Sequence, residues 1–123
     1  MVIKEVKKLW GREEWLVNTD LYCSKFLYLN KGYQCSLHFH KFKDETFYIL
    51  EGEILLELAK NKMLNLEDAD IEVYRLKKGQ QINICTFQPH RFRAITNTAK
   101  ILEVSTTHSD EDSYRLEKSK RTK

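Results

Sequence analysis

Three histidines and a glutamate occupy positions from which they could bind one metal ion together. His38 and His40 are two residues apart on a predicted strand, so both imidazoles lie on the same face. Glu45 opens the next predicted strand, and the turn between the two strands could return its carboxylate to that face. His90 follows the single proline, Pro89, on a distant strand. These positions make His38, His40, Glu45 and His90 candidate ligands of one metal, with a surface or hydrogen-bonded core residue as the alternative for any one histidine.

The types of these ligands indicate the class of cofactor. Imidazole nitrogens and a carboxylate suit several divalent ions, and affinity alone does not choose among them. The expected cofactor is therefore one divalent metal ion, namely Mn, Fe, Co, Ni or Zn. Four protein ligands in a six-coordinate shell leave two adjacent positions for water or a substrate, which is typical of a catalytic site rather than a closed structural one.

Runs with strand-like alternation surround these residues, and helical periodicity is almost absent. Gly32, Gly52 and Gly79 separate several of the runs, as tight turns require. Short strands at close spacing are typical of an antiparallel sandwich or barrel. The predicted strands are 15–18, 23–29, 34–40, 45–50, 53–58, 71–76, 81–87, 92–96 and 101–105.

The segments between and after these strands are predicted to be connections. Gly52 lies in a hairpin-like sequence, Leu-Glu-Gly-Glu, and can adopt the positive φ that a tight turn needs. The polar segment 59–70 is predicted to be a longer connection, and segment 112–123 a short helical turn that then frays. His108 and the acidic run after it are predicted to lead into a helix start, with no role in metal binding.

Length and composition limit the class of protein. The 123 residues fit one domain, and an apolar fraction of 41% with 6 Phe, 6 Tyr and 2 Trp is enough for a core. The net charge of +3 comes largely from the last nine positions, so we expect a domain over residues 1–117 and a basic tail over 118–123. A short basic tail is more often solvated than bound to nucleic acid, so no nucleic-acid partner is predicted.

The cysteines and the apolar stretches indicate a compartment. Cys23, Cys35 and Cys85 are an odd number at wide spacing, which favours neither a disulfide framework nor a zinc ribbon. The first thirty residues contain no apolar signal core, and no stretch approaches the roughly 20 apolar residues of a membrane span. We expect a soluble, unprocessed cytoplasmic protein with reduced thiols and no membrane partner.

Residues 32–90 resemble the cupin superfamily. The first cupin motif is met at all five fixed positions, by Gly32-x5-His38-x-His40-x4-Glu45-x6-Gly52. The frame of the second motif is supplied by Gly79 and Pro89-His90, although its usual proline falls at Cys85 and its usual glycine at Phe87. The resemblance implies an all-β, mostly antiparallel double-stranded β-helix, or jelly-roll barrel, that holds a metal through His38, His40, Glu45 and His90.

The flanks of this region resemble sugar isomerase cupins. The type II mannose-6-phosphate isomerase domain has a similar Trp-Gly opening, a similar Pro-His-Arg turn and a similar closing segment, here Trp10-Gly11, Pro89-His90-Arg91 and LEVSTTHSDEDSYRLE at 102–117. The chain departs from that pattern at His38, where glutamine is expected, and lacks a nucleotidyltransferase domain. The D-lyxose isomerase group is similar in having the full ligand set. The resemblance implies an aldose–ketose isomerase acting on a sugar or sugar phosphate through a metal-stabilised enediolate.

Two residues are candidates for the proton transfer of such a reaction. Glu103 lies between Leu102 and Val104 on an apolar strand, so alternation favours the barrel interior, although an outward-facing carboxylate remains an alternative. Lys43 precedes Glu45 by two residues and is a candidate acid or oxyanion partner, with a solvated loop lysine as its alternative.

Four residues are candidates for substrate binding. Arg91 and Arg93 alternate with Phe92 directly after His90, which would give a guanidinium face near the site for hydroxyls or a phosphate. Tyr28 and Tyr48 are candidates to line the cavity. Exposed arginines and core tyrosines are the alternatives.

Other functions remain open for a metal-binding cupin. A non-haem iron dioxygenase would use the same barrel with three histidines, and a non-catalytic cupin would bind a sugar or metal as a sensor. Oxygen consumption would identify the first, and absence of turnover with saturating metal would favour the second. We also expect a homodimer, with the apolar segment 10–18 as the contact.

Overall fold

The computed structural model describes residues 3–62 and 70–122. Within them the chain folds into two antiparallel sheets. The strands are β1 (Lys4–Lys8), β2 (Gly11–Asn18), β3 (Cys23–Asn30), β4 (Tyr33–Gln34), β5 (Leu37–Phe39), β6 (Glu45–Glu51), β7 (Glu53–Ala59), β8 (Ile71–Lys77), β9 (Gln81–Ile84), β10 (His90–Ala94), β11 (Thr98–Ser105), β12 (Tyr114–Glu117) and β13 (Lys120–Arg121).

The two sheets bring distant parts of the chain together. The first sheet has the order β1-β2-β3-β11-β6-β9. In the second sheet β10 is central, with β7 and then β8 on one side and the short strands β4 and β5 on the other. The last strands, β12 and β13, close that side by pairing with β5 and β4. The connection predicted for 59–70 lies partly outside the described residues.

Apolar side chains that alternate along the strands fill the space between the sheets. Phe47 and Ile49 of β6, Ile101 of β11 and Phe92 of β10 are buried in one cluster, to which Trp10 also belongs. The Trp10 ring meets Phe92 edge-on, with centroids 5.1 Å apart. This cluster fills one part of the barrel interior and leaves polar side chains to line another.

The glycine turns adopt the conformation that the sequence predicted. Gly52, between β6 and β7, has φ 74°, and Gly32 and Gly79 also have positive φ. A Cβ atom at Gly52 would lie 2.5 Å from the carbonyl oxygen of Thr98. The hairpin therefore requires glycine both for its backbone angle and for the close approach of β11.

Phe87 occupies the position in the second-motif turn where cupins usually have glycine, and it adopts the backbone conformation of that turn. It has φ 59°, a left-handed conformation that costs a non-glycine residue about 1–2 kcal/mol. Its backbone N–H donates to the carbonyl of His40 at 2.6 Å, and its ring stacks near Phe39 with centroids 6.2 Å apart. These contacts hold the turn that precedes His90.

Several element boundaries differ from the sequence predictions. Strand β1 was missed because charged residues dominate it, as is common on sheet edges. The predicted strand 34–40 is two strands separated by Cys35 and Ser36. The predicted frayed end is wrong, because β12 and β13 pair with β5 and β4 through backbone contacts that periodicity does not reveal. No helix among the described residues has the length and apolar character for crossing a membrane.

Candidate metal centre

The second sheet and the start of β6 bring the four predicted ligands together. His38 of β5 lies directly opposite His90 of β10, while His40 follows β5. One ring nitrogen from each of these three histidines lies within 4.8 Å of the other two. Glu45 begins β6 and reaches the same point from the first sheet. Residues from both sheets therefore meet at one place inside the barrel.

Backbone carbonyls fix which ring nitrogen of each histidine faces this place. The Nδ1 atoms of His38, His40 and His90 lie 2.8, 2.8 and 2.9 Å from the carbonyl oxygens of Ser36, Asp112 and Gln88. A carbonyl only accepts hydrogen bonds, so each Nδ1 carries the proton. Each Nε2 therefore presents a lone pair, which is the arrangement found in metal-ligating histidines.

Glu45 adds a carboxylate oxygen to the three histidine nitrogens, and together these electron-pair donors form a group that suits a cation. Its Oε2 lies 3.2 Å from Nε2 of His40 and 3.5 Å from Nε2 of His90. Among the described residues, Glu45 Oε2 and His90 Nε2 are buried without a hydrogen-bond partner. An ion with ligands at about 2.1 Å and right angles between them holds neighbouring ligand atoms about 3 Å apart. The donor set and its spacing fit a divalent metal ion.

The protonation states also suit metal binding. Burial holds the pKa of His38 well below its ordinary value, and it lowers the pKa of His90 despite the charge of Glu45. Burial opposes ionisation of Glu45, but the charge of Lys43 and the contact with His40 outweigh it and keep the pKa of Glu45 well below its usual range. Burial likewise lowers the pKa of His40, but the contact with Glu45 outweighs it and raises that pKa. His38 and His90 are therefore held neutral beside an ionised carboxylate, which are the forms that bind metals, whereas a metal ion binding at His40 would compete with its proton.

Asp112 shapes the loop that connects His40 to Glu45. Its buried carboxylate accepts backbone N–H groups of Lys41 at 2.8 Å, Phe42 at 3.2 Å and Lys43 at 3.0 Å. Its own carbonyl oxygen accepts the Nδ1 proton of His40. One residue near the end of the chain therefore orients a ligand and holds the loop between two ligands.

Replacing Asp112 with alanine is expected to lower the free energy of unfolding by about 2–4 kcal/mol, because several backbone N–H groups lose their acceptor. Metal affinity should fall about 10–100-fold through the altered loop. Chemical denaturation and metal titration would measure both effects. Glu111→Ala, at the exposed neighbouring position, is the control and should change neither quantity. Unchanged stability in Asp112→Ala would contradict the assigned role of its carboxylate.

The metal centre opens into a cavity of about 380 Å³ that is lined mainly from the first sheet. Glu103 and Lys43 both reach this cavity and are 4% and 3% exposed. Lys43 Nζ lies 2.6 Å from Oε2 of Glu103, which also accepts the hydroxyl of Ser105 at 3.2 Å. Burial lowers the pKa of Lys43, but the charge of Glu103 outweighs it and raises that pKa. The structure places a buried ion pair beside the candidate ligands.

His108 extends this ion pair toward the surface. Its Nε2 lies 2.8 Å from Oδ1 of Asp110, which only accepts, so Nε2 carries a proton. Its Nδ1 lies 3.2 Å from Nζ of Lys43 and therefore accepts from it. Burial, with the charges of Lys43 and Lys25, lowers the pKa of His108, which favours this neutral form. His108 thus orients Lys43.

The structure does not bring the four predicted substrate-binding residues to the cavity. Side chains alternate along β10, so the inward-facing His90 leaves Arg91 and Arg93 on the outer face. Arg91 pairs there with Glu57 and Glu117. The prediction that Arg91 and Arg93 lie near the metal site is therefore wrong.

Tyr28 and Tyr48 also lie on an outer face. Tyr28 of β3 stacks against the guanidinium of Arg12, which lies 3.7 Å from the centroid of its ring. Tyr48 of β6 is 40% exposed, while its neighbour Phe47 points inward. The alternation of each strand gives both tyrosines the parity opposite to the cavity-lining residues.

Sequence reasoning missed the basic side of the cavity, which Glu13, Trp15, Lys25 and His108 line. Lys25 was detectable, because it alternates with the buried Cys23 and Leu27 on β3. Glu13 and Trp15 share a face of β2 for the same reason. His108 had no such signal, since it lies outside the strands.

No protein-family model matches this chain, and no curated protein matches it by sequence. Solved structures do match its fold. The capsular polysaccharide assembling protein CapF from Staphylococcus aureus matches 93% of this chain with TM-score 0.79 and 17% identity. The oxalate decarboxylase from Bacillus subtilis matches 92% with TM-score 0.78 and 18% identity. KdgF from Halomonas sp. matches 81% with TM-score 0.67 and 16% identity.

The chain spans 32% of the length of CapF and 30% of that of the oxalate decarboxylase, but 81% of that of KdgF. All three proteins share the double-stranded β-helix architecture of the cupins. At these identities the likeness shows the fold alone. The jelly-roll barrel implied by the sequence motifs is confirmed.

Proposed function

From the cupin fold of this chain, we propose that it is a metal-dependent aldose–ketose isomerase acting on a sugar or sugar phosphate. The observation that carries the proposal is the buried Glu103–Lys43 ion pair, which lines the same cavity as three of the candidate metal ligands, His38, His40 and Glu45. A carboxylate and a protonated amine beside a metal centre suit transfer of a proton between adjacent carbons.

The candidate ligands and the ion pair have separate roles in this proposal. A divalent ion bound by His38, His40, Glu45 and His90 would supply Lewis-acid polarisation of the substrate's carbonyl and neighbouring hydroxyl oxygens. Glu103 removes the proton from the carbon that bears the hydroxyl and returns it to the carbon that bore the carbonyl. The C–H electron pair forms the carbon–carbon double bond while the π pair of the carbonyl moves onto its oxygen. When Glu103 returns the proton to that carbon, the proton of the original hydroxyl passes to the other oxygen, and the original hydroxyl becomes the new carbonyl.

Lys43 supports this proton transfer by donating a hydrogen bond to a substrate oxygen. Its ammonium has three N–H donors, of which Glu103 and His108 accept two. Within residues 3–62 and 70–122 the third donor has no acceptor, so it can donate to a substrate oxygen on which negative charge develops. The apolar walls from Phe47 and Phe92 limit the access of water to the reacting carbons.

Hydrogen exchange tests this proposal most directly. The metal content of the purified protein is measured first, and pentoses, hexoses and their phosphates are then incubated in deuterated water with Mn, Fe, Co, Ni or Zn. We expect deuterium at C2 of at least one substrate, together with its ketose or aldose partner. Absence of exchange across the whole panel would reject the isomerase. Iron-dependent oxygen consumption would instead identify a dioxygenase, and tight sugar binding without turnover a sensor.

The chain is also expected to form a homodimer. Trp10 and Trp15 are buried, so the two largest apolar side chains of segment 10–18, the contact that the sequence suggested, are not available at the surface. Tyr48 and Val104, which are 40% and 51% exposed on the outer face of the first sheet, are better placed. Light scattering should give twice the 14.7 kDa chain mass.

Charge substitution tests this contact. Val104→Glu should convert the dimer to monomer, because it places a charge in an apolar interface. Val73→Glu, on the second sheet and 60% exposed, is the control and should leave the dimer intact. A monomeric wild-type chain at micromolar concentration would exclude the dimer.

We propose a cytoplasmic location on the basis of the cysteines. Cys23, Cys35 and Cys85 are free, and the first two are buried. Burial raises the pKa of the Cys35 thiol to about 12, so this thiol stays protonated. Unpaired thiols are typical of proteins in reducing compartments.

A further inference from the structure

Lys25 is a buried lysine that the proposed proton transfer does not use. It is 1% exposed and lines the same cavity as the metal centre. Its Nζ lies 4.1 Å from the centroid of the Trp15 ring. Among residues 3–62 and 70–122, its polar partner is one carboxylate oxygen of Glu13 at 3.5 Å, a long distance for an ion pair. Two of its three N–H donors are therefore available to a ligand.

Glu13 does not fully balance the positive charge around Lys25. Its carboxylate also lies 3.9 Å from Nζ of Lys8 and accepts Trp15 Nε1 at 2.9 Å. Nζ of Lys4 lies 4.7 Å from the centroid of the same Trp15 ring. Asp110 also lines this end of the cavity and interacts with the charges of Lys4 and Lys25. Two carboxylates, Glu13 and Asp110, thus face three ammonium groups. Because burying an ammonium without full compensation is costly, this end of the cavity favours an added anion.

The net charge of the whole cavity also favours an anionic ligand. Of the charged groups that line it, five are basic and four are acidic, namely Lys4, Lys8, Lys25, Lys43 and Arg115 against Glu13, Glu45, Glu103 and Asp110. Their sum is +1 before any metal is bound. A divalent ion at the histidines would raise this to +3, a potential that attracts an anionic substrate.

Strand register separates Lys25 from the metal centre. Glu45 lies opposite Ser105 of β11, which in turn lies opposite Cys23 of β3, two residues from Lys25. Two strand spacings and two residues along the strand place the Cα atoms of Glu45 and Lys25 about 12 Å apart. Glu103 lies between them, directly opposite Lys25. A ligand whose reacting carbons lie near Glu103 would extend its other end toward Lys25.

We infer that Lys25 binds an anionic group, a phosphate or a carboxylate, at the end of the substrate remote from the reacting carbons. The placement of the reacting end rests on the proposed isomerase function, whereas the anion site itself depends only on the surroundings of Lys25. The substrate is then a sugar phosphate or a sugar acid rather than a neutral sugar. Lys8 adds charge at this site, and Trp15 packs against the Lys25 ammonium.

Calorimetry with matched ligands tests this inference on the protein as purified and again after chelation. The probes are inorganic phosphate, glucose 6-phosphate, glucuronate and glucose. Lys25→Met is expected to weaken binding of the anionic probes that bind by about 10–100-fold, the effect of losing a charge-assisted hydrogen bond, and to leave glucose unchanged. The control is Lys7→Met, an exposed lysine on β1 that does not line the cavity.

A second comparison distinguishes a direct role of Lys25 in anion binding from an effect of its substitution on stability. If Lys25→Met melts early because Glu13 loses a partner, Lys25→Met with Glu13→Gln removes both charges and is compared with Glu13→Gln alone. Anion binding should again depend on Lys25. Preference for glucose 6-phosphate would identify a phosphate, and preference for glucuronate a carboxylate.

Three results would overturn the inference: glucose binding as tightly as its anionic counterparts, anion affinity that survives loss of Lys25, or no binding of any anionic probe at millimolar concentration. Failure of the isomerase proposal is separate. If no sugar exchanges hydrogen but Lys25-dependent anion binding persists, the anion site stands and the isomerase does not.

Discussion

Glu103→Gln is expected to reduce isomerase turnover about 10²–10⁴-fold while metal and substrate affinities stay near their original values. The amide keeps an oxygen that can accept the Lys43 hydrogen bond, so the cavity should retain its shape. It cannot take up the substrate proton, so the loss should appear in kcat rather than KM. Exchange of the C2 hydrogen with deuterated water should fall with turnover.

The control for Glu103→Gln is a second glutamate substitution outside the cavity. Glu51→Gln changes an exposed glutamate at the end of β6 that does not line the cavity, and it should leave kcat unchanged. If exchange survives in Glu103→Gln, Glu103 is not the base. Lys43→Met would then be the next variant, since Lys43 is the other group of the ion pair.

His40→Ala is expected to abolish binding of one equivalent of divalent metal. It removes one of four donors and leaves the carbonyl of Asp112 without the Nδ1 proton of His40. The loss of affinity should exceed the roughly 10–100-fold typical for a partner that only orients a ligand. Metal analysis and calorimetry would measure the stoichiometry and the affinity.

His108→Ala is the matched control for this prediction, because His108 lines the cavity outside the candidate ligand set. It should keep the metal. The departures from the second cupin motif at Cys85 and Phe87 would by themselves predict a milder loss for His90→Ala than for His40→Ala. The structure gives His90 1% exposure and its own carbonyl partner, so we expect a comparable loss. Unchanged metal affinity in His40→Ala would remove the metal assignment.

Strand alternation correctly predicted which side chains face the cavity wherever it was applied consistently. The rule that puts His38 and His40 on one face also directs Glu103 inward, and the structure places all three at one cavity. The same rule, applied to His90, places Arg91 and Arg93 outside, which is where they lie. Their expected role was an error in applying parity, not a failure of the pattern.

Other parts of the site could not be predicted from local pattern. The contact between His40 and Asp112 joins residues 72 positions apart, and no periodicity records such a pairing. Lys25 shows the opposite case, since its inward parity was visible but the incomplete balance of its charge was not. That balance depends on where Glu13 and Trp15 of β2 come to lie beside β3.

The Asp112 contacts also set an order for how the protein matures during synthesis. When β10 has left the ribosome all four candidate ligands are present, yet the loop after His40 still lacks the carboxylate that accepts its N–H groups. Because domains fold from contacts already synthesised and distant contacts form slowly, the ligand geometry is completed only when the closing segment docks. Full affinity for a metal ion would then be reached late, when the last strands arrive, and a nascent chain stalled before residue 112 would bind metal weakly.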